Sequence, residues 1–175
     1  MVQLDSSPAL LVVDMQNGFC HEQGSFAKMG MQSDPTAIVP HINKLRSAFH
    51  AADLPVFFLR TAYNADYSDR RRRDRGDSVE KLQGLLRGSW DADILEELTP
   101  EPGEKVIEKT RFSGFFRTSL EDTLKDRGIN HLIFTGVGTD VCVETTARDA
   151  YQLNFAVTTL STLYESSAAR RRRQK

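Results

Sequence analysis

Cys142 is the residue whose setting most clearly points to chemistry. It stands in the stretch GVGTDVCVETTARDAY, residues 136–151, between a short apolar run and a helix-like run. The spacing of Cys142 and Arg148 is that of cysteine phosphatases, but the intervening residues contain a carboxylate and no glycine that could curl around an oxyanion. A dinucleotide-binding loop is disfavoured because Val141 replaces the third glycine and Asp140 would repel a phosphate. The two main interpretations that remain are a packed core cysteine and a nucleophile that forms an acyl-enzyme.

Two charged residues at other predicted strand ends favour the nucleophile. Asp14 closes the apolar run ALLVVD, and Lys109 closes the run KVIEK. Asp14 could take the thiol proton, and Lys109 could hold Asp14 and stabilise a charged intermediate. A helix that starts close to Cys142 would lower the pKa of the thiol and would offer backbone N–H groups to an oxyanion. Without Cys142 nearby, a plain buried ion pair would be the favoured interpretation of Asp14 and Lys109.

These residues must be positioned by a sheet whose strands are buried on both faces. Near-continuous apolar runs predict such strands, and helical patterns of apolar residues separate them. The strands are expected at Ala9–Asp14, Pro55–Arg60, Lys105–Lys109, His131–Gly136 and Phe155–Leu160, and the helices at Asp34–Ala52, Thr118–Arg127 and Val141–Leu153. This alternation predicts an α/β fold of three layers, αβα, around a mostly parallel, Rossmann-like sheet of five or six strands. Ligands bind at the carboxyl ends of such strands, where Asp14 and Lys109 fall.

The composition of the whole chain is that of an ordinary globular protein. The 175 residues suit one domain, residues 1–175, with 39% hydrophobic and 27% charged residues. A net charge of -1 argues against nucleic-acid binding, and no apolar run is long enough to cross a membrane. Two cysteines without a recognisable export signal predict free thiols and a cytoplasmic location. We interpret the arginine clusters, in a polar insertion at 66–78 and in a basic tail at 170–175, as solvated segments.

Three motifs resemble, in the right order, those of the isochorismatase-like cysteine hydrolases, and the similarity extends over nearly the whole chain. They are ALLVVDMQNGF, VIEKTRFSGFFRTSL and TGVGTDVCVETTARDA. The resemblance implies a catalytic triad of Asp14, Lys109 and Cys142, a thioester intermediate and no cofactor. It also implies a cis peptide bond at Val137–Gly138, with the backbone N–H groups of Gly138 and Cys142 as the oxyanion hole.

The resemblance also implies that the substrate is a small amide or ureide. Nicotinamidases of this family carry a metal-binding Asp-x-His-x-x-His after the second strand, whereas RTAYNADYSDRRRR here holds no histidine, so we predict no metal. Some family members lack the cysteine and cleave a vinyl ether, so Cys142 favours hydrolysis of a C–N bond. The sequence is most similar to the branch that cleaves ureidoacrylate, biuret or N-carbamoyl compounds. The alternatives are a nicotinamidase-like or isochorismatase-like hydrolase of another small substrate, and a catalytically silent binding protein of the family.

Aromatic walls with a few amide groups would suit a small, flat, polar substrate. The side chains expected to line it are Gln16, Phe19, Asn64, Trp90, Phe112 and Phe115. Phe112 and Phe115 are equally well explained as core residues. A substrate carboxylate could bind to Arg111 or to the cluster Arg70–Arg73, and the sequence does not favour either.

The end of the chain leads us to expect a homo-oligomer. Family members usually continue past the fifth strand with an acidic loop and another helix, whereas this sequence ends soon after TTLSTLYESS. Apolar surface left there could be covered by a second copy, in a dimer or tetramer. The other expected partner is the small-molecule substrate.

Overall fold

The structure is a computed structural model that describes residues 7–31, 34 and 37–165. Within these residues, the fold is built on one parallel sheet. Its strands are β1 Pro8–Val13, β2 Val56–Thr61, β3 Lys105–Lys109, β4 His131–Val137 and β5 Ala156–Glu165. They lie in the order β3-β2-β1-β4-β5, and every neighbouring pair is parallel. The predicted α/β fold with a parallel sheet is confirmed.

Helices pack on both faces of this sheet. The described helices are α1 Asn17–Cys20, α2 Ser25–Lys28, α3 Val39–Ala51, α4 Ser78–Lys81, α5 Leu120–Asp126 and α6 Glu144–Gln152. α3 buries Ile42 and Phe49 against one face, and α5 and α6 bury Leu124 and Ala150 against the other. α3 begins at Val39, later than the predicted start at Asp34, and it carries a proline in its first turn, where a backbone N–H has no partner within the helix.

The register of the sheet brings the carboxyl ends of its strands together. Val13 pairs with both Leu59 and Gly136, and Thr61 pairs with Lys109. Gly136 has a φ of 127°, and a Cβ atom at this position would lie 2.1 Å from the Val13 carbonyl oxygen. Glycine is therefore required for β4 to lie this close to β1. The residues that follow these strands meet at one edge of the sheet, where ligands of parallel sheets bind.

The arginine-rich insertion after β2 is anchored through Arg70. Its guanidinium donates to both carboxylate oxygens of Asp77, at 2.7 and 2.9 Å, and lies over the rings of Tyr63 and Tyr67, 5.0 and 5.7 Å from their centroids. Arg70 is buried, so this cation is packed rather than solvated. The basic tail predicted at 170–175 lies outside the described residues. None of the described helices combines the length and the apolar character needed to cross a bilayer.

Candidate active site

Asp14 and Lys109 form a buried ion pair at the carboxyl edge of the sheet. Asp14 follows β1 directly, and Lys109 is the last residue of β3. Lys109 Nζ lies 2.9 Å from Asp14 Oδ2, and both side chains are almost wholly buried. Asp14 has a φ of 54°, a left-handed conformation that aspartate tolerates better than most residues. Residues held in such conformations cluster at functional sites.

Lys109 donates to three oxygen atoms. Besides Asp14, it donates to the Thr61 hydroxyl at 2.9 Å and to the Arg111 carbonyl at 3.2 Å. Burial by itself would lower the pKa of Lys109, but the negative charge of Asp14 and its hydrogen bond to the ammonium group oppose burial and raise that pKa. The ammonium group therefore stays charged at neutral pH and can hold a carboxylate in place.

Cys142 lies in a turn of π-helix, residues 139–143, between β4 and α6. Gly138 precedes this turn in the left-handed conformation, with a φ of 67°. The Thr146 hydroxyl donates to the Cys142 carbonyl at 2.6 Å and accepts from the Gly114 N–H at 3.0 Å. Thr146 thus ties the cysteine turn to the loop that follows β3. Short π-helical turns are frequent at functional sites.

The Cys142 thiol is kept neutral by its surroundings. The residue is 9% exposed, and its thiol interacts with both Asp14 and Lys109. Burial raises the pKa of the thiol, the charge of Asp14 raises it further, and Lys109 opposes both effects without reversing them. The expectation that a helix N-terminus lowers this pKa is therefore wrong. α6 begins only at Glu144, after Cys142, and burial of the thiol is the largest cause of the raised pKa.

The cis peptide bond expected at Val137–Gly138 is absent, since no described peptide bond is cis. The chain turns instead through positive φ angles at Gly136 and Gly138. The Gly138 carbonyl accepts the N–H groups of Val141 and Cys142, at 3.0 and 2.8 Å. The Cys142 N–H predicted for the oxyanion hole is therefore engaged within the turn in this structure.

Three of the side chains predicted to line the substrate are occupied by packing or by main-chain hydrogen bonds. Gln16 is buried, and its amide bonds the main chain of Thr61 and Ala92. Phe115 packs against the core under α5 and α6, where it stacks on a second phenylalanine with ring centroids 5.9 Å apart. Phe19 packs against the core on the α3 side of the sheet.

The other three predicted substrate contacts are exposed. Trp90 is 47% exposed and borders a cavity of ≈ 800 Å³ on the α3 side, whose lining does not include the predicted triad. Phe112 is 45% exposed, and the Arg71 guanidinium lies over its ring, 4.9 Å from the centroid. Asn64 lies on the surface and accepts a hydrogen bond from Arg87. The structure brings Asp14, Lys109 and Cys142 together, and the substrate contacts of these six side chains stay a prediction.

Three further polar residues of the site escaped the sequence analysis: Thr61, Tyr63 and Thr146. Thr61 contacts both members of the ion pair. Tyr63 is half-buried, and burial raises the pKa of its phenol. The nearby charges of Arg70 and Lys109 lower that pKa. The effect of Lys109 shows that the Tyr63 ring lies near the ion pair. The position of Thr61 and Tyr63 at the carboxyl end of β2 could have indicated them. Nothing in the sequence distinguishes Thr146 from other helical threonines.

The isochorismatase domain model matches residues 8–174. This chain belongs to the isochorismatase family. The crystal structure of a cysteine hydrolase from Pseudomonas syringae pv. phaseolicola 1448A is similar with a TM-score of 0.82 and 34% identity, over 91% of this chain and 72% of that chain. An N-carbamoylsarcosine amidase from Thermoplasma acidophilum gives a TM-score of 0.75 and 28% identity, over 92% of this chain and 85% of that chain. The family predicted from the three motifs is confirmed.

Curated relatives carry a more specific name. The ureidoacrylate amidohydrolase RutB of Pantoea ananatis is 37% identical over 161 residues, which cover 84% of this chain and 64% of the relative. The protein of the same name from Pseudomonas syringae pv. syringae is 36% identical over 163 residues, which cover 84% of this chain and 66% of the relative. The chain thus spans just under two thirds of the length of these relatives.

Proposed function

We propose that this protein is a cysteine hydrolase that cleaves the C–N bond of a small ureide or amide, with ureidoacrylate-type compounds as the favoured substrate class. The observation that carries the proposal is the Cys142 thiol beside the buried Asp14–Lys109 pair. An aspartate that interacts with both a thiol and an ammonium group is placed to take the thiol proton. The names of the curated relatives support the ureide class.

In the first half of the proposed reaction, Asp14 accepts the thiol proton while the Cys142 sulfur bonds to the substrate carbonyl carbon. The carbonyl oxygen becomes an oxyanion, for which the N–H groups of Gly138 and Cys142 are the proposed donors. The Cys142 N–H must then exchange its present partner, the Gly138 carbonyl, for the oxyanion. The C–N bond breaks, the leaving nitrogen takes the proton from Asp14, and a thioester remains on Cys142.

In the second half, water hydrolyses the thioester. Asp14 accepts a proton from the attacking water, the carbon–sulfur bond breaks, and the sulfur takes up that proton to restore the thiol. Lys109 stays charged throughout, because its ammonium group is held by three oxygen atoms. Its proposed role is to hold Asp14 and to offset the negative charge that develops beside it.

The assembly and location of the protein stay predictions from the sequence. These are a homo-oligomer, dimer or tetramer, and a cytoplasmic location, without nucleic-acid or membrane partners. Size-exclusion chromatography with multi-angle light scattering would test the first of these predictions directly.

Ammonia release from ureidoacrylate, biuret, N-carbamoylsarcosine and nicotinamide tests the proposed function, with wild type beside Cys142→Ala. We expect release from a ureide and its loss in the variant. Cys20→Ala is a matched control, because Cys20 is also buried but packs on the α3 side of the sheet. This control should retain activity. Release that persists in Cys142→Ala, or wild type that is inactive on every compound, would contradict the proposal.

A further inference from the structure

The Thr61 hydroxyl completes a ring of hydrogen bonds with Asp14 and Lys109. Thr61 Oγ1 lies 3.0 Å from Asp14 Oδ1 and 2.9 Å from Lys109 Nζ, while Nζ lies 2.9 Å from Asp14 Oδ2. All three residues are buried. A neutral hydroxyl therefore touches both charges of the pair at a place that bulk water does not reach.

The chemistry of lysine fixes the direction of these hydrogen bonds. An ammonium group has donors only, so Thr61 must accept from Lys109. The single hydroxyl proton of Thr61 is then free to point to Asp14, whose carboxylate can only accept. Thr61 therefore holds Oδ1 of Asp14 while Lys109 holds Oδ2, and together they fix the plane of the carboxylate.

Thr61 is itself held in place by Gln16. The Gln16 amide donates to the Thr61 carbonyl at 2.8 Å and accepts from the Thr61 N–H at 2.7 Å. Its second N–H donates to the Ala92 carbonyl at 2.8 Å. Both backbone polar groups of Thr61 are thus bonded to one buried side chain, and the β-branched side chain has few rotamers. The hydroxyl position is set by this support and not only by the charged pair.

We propose that Thr61 is a positioning residue whose hydroxyl orients the Asp14 carboxylate to accept the proton of Cys142. The inference rests on the proposed function. A carboxylate held by Lys109 alone can rotate about its Cβ–Cγ bond, whereas proton transfer needs an oxygen within hydrogen-bond reach of the sulfur. Thr61 itself gains and loses no proton in the reaction.

Thr61→Val tests the proposal because valine keeps the shape and removes the hydroxyl. Loss of one hydrogen bond to a charged group should lower kcat by about 10- to 100-fold. KM should change by less than about threefold, because the lost contact is with the base and not with the substrate. Thr61→Ser keeps the hydroxyl and should restore most of kcat.

Thr135→Val is the matched control for this substitution. Thr135 is a buried threonine of β4, and its hydroxyl has no hydrogen-bond partner within the described part of the chain. The control should keep the kcat and the KM of the wild type. Equal losses in Thr61→Val and Thr61→Ser would overturn the proposal. A rise in KM at constant kcat would also overturn it, because it would indicate a substrate contact.

Alkylation of Cys142 by iodoacetamide gives a second readout that needs no substrate. If the hydroxyl orients Asp14 to take the proton of the neutral thiol, the rate of alkylation at pH 7 should be lower in Thr61→Val than in the wild type and in Thr61→Ser. An unchanged rate would overturn the proposal. A lowered rate in an enzyme whose wild type hydrolyses no compound would overturn the proposed function alone. If Thr61→Val does not fold, as judged by circular dichroism, Thr61→Ala and Thr61→Ser provide the same comparison.

Discussion

Replacing Lys109 by methionine separates the structural from the catalytic contribution of the buried pair. Methionine is close to lysine in length and removes only the charged end. The side chains of Lys109 and Asp14 are 0% and 2% exposed, so the carboxylate left behind cannot turn to water. Among the described side chains, it keeps the hydrogen bond from the Thr61 hydroxyl. Breaking a buried pair in this way should cost about 3–5 kcal/mol of the free energy of unfolding.

A double variant, Asp14→Asn with Lys109→Met, removes both charges together. Asparagine tolerates the φ of 54° at this position, so the change adds little backbone strain. Neutral replacement of a whole buried pair is often harmless, so the double variant should be more stable than Lys109→Met by about 2 kcal/mol or more. Neither variant should release ammonia. Urea denaturation at pH 7, followed by circular dichroism and Trp90 fluorescence, measures the stability of each.

Two results would refute this reasoning. A loss below about 1 kcal/mol in Lys109→Met is typical of solvated pairs and would mean that the ammonium group is not buried against Asp14. A double variant that regained activity together with stability would show that the pair only supports the fold. We expect the double variant to regain stability without activity. This result would show that at least one of the two charges has a chemical role.

Four further predictions concern the thiol and the fold. Iodoacetamide should label Cys142 slowly at pH 7 and faster as the pH rises; fast labelling at pH 7 would show a preformed thiolate. The pKa of the Cys142 thiol is higher in the folded protein than in the unfolded chain, so the stability that the thiol contributes is complete below about pH 8.5 and falls at higher pH. Thermal melts of wild type and Cys142→Ala should therefore diverge above that pH. Arg46→Met should cost about 3–5 kcal/mol in urea denaturation, because it leaves the buried Glu104 carboxylate without the guanidinium 2.6 Å away; a loss below about 1 kcal/mol would contradict the buried pairing. Gly136→Ala should not fold to native-like circular dichroism, because its Cβ would lie 2.1 Å from the Val13 carbonyl oxygen; a native spectrum would refute the close approach of β1 and β4.

The sheet and its functional edge were predictable because the signals that specify them lie along the chain. Five apolar runs predicted the five strands, and the parallel topology places their carboxyl ends at one edge. Asp14 and Lys109, at two such ends, were therefore expected at the same edge of the sheet. The spatial order of the strands did not follow from these runs, because it depends on how the helices pack across the sheet.

The supporting contacts of the site were not predictable in the same way. Thr61 was overlooked because it follows the predicted end of its strand by one residue and belongs to a common residue type. Gln16 was expected to face the substrate, but its amide bonds the main chain of Thr61, a contact 45 residues distant in sequence. The pKa of Cys142 was misjudged because local sequence shows a nearby helix but not the burial of the thiol. The contacts of Thr61 and Gln16 and the burial of Cys142 all depend on residues that only the folded chain brings together. The spacing of residues along the sequence does not indicate such contacts.

The neutral resting thiol determines how the proposed reaction must begin. A cysteine whose pKa is raised by burial and by Asp14 does not carry a preformed thiolate at neutral pH. Asp14 must then take the proton as the sulfur bonds to the carbonyl carbon, so the rate depends on the orientation of its carboxylate. Lys109 and Thr61 hold the two oxygens of that carboxylate. Removal of the Thr61 hydroxyl should therefore slow formation of the carbon–sulfur bond and leave substrate binding intact. A preformed thiolate would need no proton transfer to Asp14, so the same substitution would then have little effect on the rate.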